Sequence, residues 1–89
     1  MFPNQLDGAN VLYYTDKGNY GTVKYENGKI AHRIFYIAIC QYNDDKDYYL
    51  FLCDESLDVV SDSVWSSLEQ CMSIAKQQYG SIHFNKYDF

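Results

Sequence analysis

Apolar and polar positions alternate with the period of strands along most of this chain and switch to the period of a helix only near its end. Val11 to Thr15 is β-rich and stops at the turn cluster Asp16-Lys17-Gly18-Asn19. Tyr20 to Glu26 alternates, with Tyr20, Thr22 and Lys24 on one side and Gly21, Val23 and Tyr25 on the other. Asn27-Gly28 follows; the dipeptide tolerates the positive φ angles of a two-residue type I′ turn and predicts a hairpin. Lys29 to Tyr42 returns as one long strand whose middle, Ile34 to Cys40, is apolar on both faces and belongs at the centre of a sheet. The polar turn Asn43 to Asp47 leads into a fourth strand, Tyr48 to Cys53. The acidic turn Asp54 to Asp58 leads into Val59-Val60-Ser61, a short fifth strand pairing back on the fourth. Met1 to Gly8, with Pro3, Asn4, Asp7 and Gly8, reads as an irregular approach to the sheet.

The period then changes. Leu68, Cys71, Met72, Ala75 and Tyr79 recur at the spacing of one helical stripe, with Glu69, Gln70, Ser73, Lys76 and Gln77 on the opposite face. Ser66-Ser67-Leu68-Glu69 has the spacing of a capping box with Ser66 as N-cap, and Gly80 is the expected stop. Ser81 to Phe89 alternates enough to be a final strand or a packed extension. The order predicts an α+β fold: an antiparallel β-meander of four to five strands with one C-terminal amphipathic helix packed on one face, because the sheet is the only apolar partner for the helix stripe. No repeat or linker interrupts the 89 residues, so a single domain over 1–89 is expected.

Composition adds a functional direction. Ten tyrosines give large, stiff rings with polar tips, the kind of residue favoured at protein interfaces. Twelve carboxylates against seven Lys and Arg leave a formal net charge of −5, which steers the chain toward basic partners and away from nucleic acid. An acidic, phenol-rich exterior reads as a partner-binding surface. No basic-then-apolar leader precedes the first strand and no apolar run approaches a membrane span, so a cytoplasmic protein with no membrane partner is expected. Cys40, Cys53 and Cys71 each sit inside an apolar run; they read as buried reduced thiols, with a Cys40–Cys53 disulfide as the alternative in an oxidising compartment.

Catalytic chemistry has no visible motif here. The sequence holds no nucleophile elbow, no Walker loop and no dinucleotide fingerprint. His32 and His83 are far apart and lack a neighbouring ligand pair, so a zinc site with the cysteines has no local support. Asp54, Ser56 and Asp58 alternate as calcium-loop ligands do, but the central glycine and closing glutamate are missing. No enzyme activity and no cofactor is expected. The acidic residues form two groups, Asp44, Asp45 and Asp47 in one turn and Asp54, Glu55, Asp58 and Asp62 in the stretch from the fourth strand to the helix, at opposite ends of the fourth strand. Their plain role is turn formation by aspartate. Their functional role is the charged part of a binding surface, with Tyr48 and Trp65 as aromatic anchors.

The segments Tyr48 to Asp54, Val59-Val60-Ser61-Asp62, Trp65, Ser67-Leu68-Glu69 and Ala75 together resemble small bacterial proteins that end in a strand, an acidic turn and a helix opening S-D-x-x-x-x-S-L-E. Some proteins of this pattern look like immunity proteins of polymorphic-toxin and contact-dependent inhibition systems. The resemblance covers about a third of the chain, its motif is structural, and it carries over no functional residue. It implies a protein that binds a cognate toxin, a nuclease for example, and occludes its active site. The rival expectation is a small self-associating structural or regulatory module, a homodimer held by a sheet edge and tyrosine-rich faces.

Overall fold

Asp7 and Gly8 both take positive φ, 49° and 82°. Positive φ at both central positions is the type I′ geometry, and it folds the preceding residues back on the sheet. In this computed structural model, which describes residues 2–88, β1 (Gln5–Leu6) therefore pairs antiparallel with β2 (Ala9–Tyr14). The irregular approach expected at Met1 to Gly8 is instead a short hairpin; Met1 lies outside the described residues.

The architecture is α+β, a curled antiparallel sheet with one helix packed against it. The remaining strands are β3 (Thr22–Lys24), β4 (Ile30–Arg33), β5 (Tyr36–Gln41), β6 (Tyr48–Cys53), β7 (Val59–Trp65) and β8 (Asn85–Lys86), and the helix is α1 (Leu68–Tyr79). The main sheet runs β1-β2-β5-β6-β7, with β8 also on β2; among the described residues β3 and β4 pair only with each other. Ser81 to Phe89 thus contributes a short strand, with Phe89 itself outside the described residues.

Two expected strands are rearranged. The run from Lys29 to Tyr42 breaks at Ile34-Phe35. Ile34 donates its amide to Gly21 and accepts from Tyr20, continuing the β3–β4 ladder. Phe35 instead donates to Cys53 and accepts from Gly18, continuing the main sheet. β2 to β5 is consequently one long hairpin whose distal half, β3–β4, leaves the sheet as an arm. The turn at the arm's tip is also not the expected one. The Gly28 amide reaches the Tyr25 carbonyl at 2.9 Å, the Tyr25 amide reaches Lys29 at 2.8 Å, and only Gly28 takes a positive φ (84°). That is a three-residue loop with a glycine bulge. The fifth strand is longer than Val59-Val60-Ser61, extending to Trp65 in register with all of β6.

Alternation gives the sheet two faces, each with its own core. On the helix side Ile37, Ile39, Leu50 and Leu52 meet Cys71, Ala75 and Ile82. On the other side Val11, Ala38, Cys40, Phe51 and Cys53 are covered by Phe2 and Leu6. Thr15, 1% exposed, is the polar residue buried beside them, and its Oγ1 accepts the Ile37 amide at 3.0 Å. The helix begins one residue later than the capping-box expectation. Ser67, not Ser66, is the N-cap: its backbone is extended and its side chain accepts the Gln70 amide at 3.1 Å. Gly80 ends the helix with φ 82°.

Candidate functional site

The β6–β7 hairpin positions Tyr48 and Trp65, the two residues expected as anchors. Tyr48 opens β6 and Trp65 closes β7, and the register sets them directly opposite one another. Both are half-buried and pack on the helix-side core. The Trp65 indole N–H donates to Ser63 Oγ at 2.8 Å, which fixes the ring against the strand. Beside them a shallow groove of about 150 Å³ runs between β6, β7 and the end of α1, lined by Leu50, Leu52, Trp65 and Tyr79, with Ser61 and Ser63 among its polar edges. Tyr79 is a groove residue that sequence reasoning assigned to the helix stripe alone. Desolvation raises its phenol above the ordinary value, consistent with a ring sunk into this wall.

The turn entering β6 carries Asp44, Asp45 and Asp47, so it stands at the Tyr48–Trp65 end. Asp44 is exposed, with φ 65°. Asp45 has a structural job: Oδ1 accepts the Asp47 amide at 2.9 Å and Oδ2 accepts the Tyr49 hydroxyl at 3.1 Å. That hydrogen bond, followed by partial desolvation, raises the Tyr49 phenol above its ordinary range. Among the described residues the Asp44 and Asp47 carboxylates have no hydrogen-bond or ion-pair partner, so both are available to an incoming cation.

Asp54, Glu55 and Asp58 lie at the other end of β6, roughly 17 Å away at strand rise. The two acidic groups are therefore not one patch. Asp54 is a turn former, its Oδ1 accepting the amides of Ser56 and Asp58 at 2.9 and 3.0 Å, with Leu57 at φ 66° completing the turn. Glu55 pairs with Lys17 at 2.7 Å, a contact that holds the ammonium above its ordinary value; both side chains are largely solvated, so the pair orders the surface without anchoring the fold. Asp58 is exposed. A cleft of about 240 Å³ opens here, lined by Phe2, Tyr14, Tyr36, Leu57, Thr15 and Lys17, and no motif in the sequence signalled it.

The tyrosines correct the picture of a phenol-studded exterior. Nine of the ten are half-buried, and only Tyr25 is exposed. Their rings frame the two cores, as in the Phe2–Tyr14 stack at 4.6 Å and the Tyr42–Tyr49 edge contact at 5.1 Å. Several hydroxyls bind their own chain: Tyr20 donates to the Asp16 carbonyl and Tyr87 to the Phe2 carbonyl.

All three cysteines are buried and unpaired, so no Cys40–Cys53 bridge forms. Desolvation pushes the Cys53 and Cys71 thiols up to about 12 and the Cys40 thiol higher still. His32 and His83 are both exposed, on β4 and in the tail. Among the described residues no cluster of three or more His, Cys, Asp or Glu could hold a metal ion, and no helix is long and apolar enough to cross a membrane. No protein-family model, no curated protein and no solved structure matches the chain.

Proposed function

We propose that this chain is an immunity-type binding protein that grips a basic protein, a cognate toxin domain, through the Tyr48–Trp65 end of its sheet and blocks that domain without catalysis. The observation that carries the reading is the register pairing of Tyr48 with Trp65 immediately beyond the turn bearing Asp44 and Asp47. Aromatic rings already ordered by the core lose little entropy on binding, and the groove between Trp65 and Tyr79 offers apolar area beside them. The two unpartnered carboxylates supply charge that accelerates association with a basic surface and selects it. The Asp54–Asp58 turn is the lesser contributor, since Asp54 and Glu55 are already engaged.

The test is calorimetric titration with the toxin domain encoded beside its gene, with Asp44→Asn/Asp47→Asn and Trp65→Phe variants in parallel. The reading expects a one-to-one complex that weakens with salt and in both variants. No complex, or a complex indifferent to salt and to both variants, counts against it.

A further inference from the structure

Among the described residues, the large hydrophobic side chains left exposed are Tyr25 (62%), Ile30 (49%) and Val64 (53%). They fall on two β elements that each lack a partner on one side. Ile30 lies on the β3–β4 arm with Tyr25 at its tip; Val64 lies on β7, the outer strand of the main sheet. The β7 edge is seven residues long and no further strand pairs with it among the described residues, so its outward amides and carbonyls form a template for another strand.

Charge divides along the same line. Lys24, Lys29 and Arg33 against Glu26 leave the arm at +2, so the rest of a −5 chain stands at −7. Register and alternation put Lys24, Ile30 and Arg33 on one face of the arm. On β7 they put Asp62 and Val64 together on one face, opposite Phe51 and Tyr49 of β6. Each element thus presents an exposed aliphatic side chain flanked by charge, and the two charges are opposite in sign.

We infer that the arm of one copy docks along the β7 edge of a second copy, with the two contacts made reciprocally in a two-fold dimer. The contact buries Ile30 and Tyr25 against Val64, brings the arm's cations to Asp62, and covers the open edge. Two-fold symmetry makes the contact twice and closes the assembly, which a single head-to-tail contact would not do. A second copy fits better than nucleic acid as the occupant of a basic arm, because a phosphate backbone docked there would face the −7 remainder of the molecule. The inference stands on the arm and the edge, and it shares β7 with the groove proposed for the toxin, which Asp62, Ser63 and Trp65 border.

Analytical ultracentrifugation tests it. The mass should rise with concentration from 10.4 kDa toward twice that value, and high salt should weaken the association several-fold. An arm variant, Tyr25→Ser/Ile30→Asp, and an edge variant, Val64→Lys, should each sediment as monomers with unchanged circular dichroism, since the altered side chains are exposed. Mixed together they should form a heterodimer, because the edge variant still has a sound arm and the arm variant a sound edge. A wild-type monomer at every concentration overturns the inference. So does dimerisation of either variant alone, which would mean an edge-to-edge or arm-to-arm contact, and so does a mixture that stays monomeric.

Discussion

Tyr48 and Trp65 face each other across β6 and β7, both resting on the core beneath α1. Trp65 therefore serves the fold as well as the surface. Truncation to alanine removes a half-buried indole over Leu50 and Leu52 and should cost about 2 kcal/mol in urea denaturation. Trp65→Phe retains most of that area and should cost clearly less, which is why it is the variant suited to binding experiments.

The helix start separates two adjacent serines. Ser67→Ala removes the acceptor of the Gln70 amide and should destabilise by about 1 kcal/mol. Ser66 gives its hydroxyl to the exposed Gln70 Oε1 at 2.7 Å, and Ser66→Ala should stay within about 0.5 kcal/mol. Thermal or urea unfolding of the two variants side by side decides which serine is the cap.

That ambiguity illustrates where the sequence was legible and where it was not. The α+β order, the bounds of β6 and the Gly80 stop follow from local signals: alternation, a helical stripe, a glycine with positive φ. Ser66-x-x-Glu69 and Ser67-x-x-Gln70 both have the capping-box spacing, so two registers fit the pattern; the extended backbone of Ser67 and its bond from the Gln70 amide mark the later one as the cap. The break at Ile34-Phe35 leaves no trace in hydrophobicity, because Ile34 is as apolar as the strand it leaves; hydrogen bonds to Gly21 and Tyr20 pull it into the arm. Asn27-Gly28 and Asp7-Gly8 are both hairpin dipeptides, and the one discounted as irregular approach forms the type I′ turn. At the candidate site, tyrosine content could not distinguish an exterior ring from one at the rim of a core. Aspartate content could not distinguish a free carboxylate, as at Asp47, from one consumed by turn amides, as at Asp54.

Thr15 is a buried polar group whose value lies in being satisfied. Thr15→Val leaves the Ile37 amide without its acceptor inside the sheet and should cost about 1–3 kcal/mol by chemical denaturation. Thr15→Ser keeps the oxygen and should recover much of that loss.

The thiols should impose an alkaline limit. Burial raises Cys53 and Cys71 from an ordinary 9.0 to about 12, with the nearby Asp54 adding to Cys53, so the unfolded chain gives up these protons first. Their contribution to stability is complete below about pH 9 and is lost between pH 9 and 12. Denaturation curves across this range should fall less steeply in Cys71→Ala than in the wild type, and native thiols should resist a disulfide reagent at pH 8 until denaturant is added.

Trp65 is the single tryptophan of the chain, and so a site-specific reporter. Replaced by 5-fluorotryptophan and followed by fluorine NMR, it should give one resonance that shifts or broadens to saturation at one equivalent of the toxin domain encoded beside the gene. A resonance that stays in place while calorimetry shows the same complex fully formed would contradict the Tyr48–Trp65 end as the binding surface.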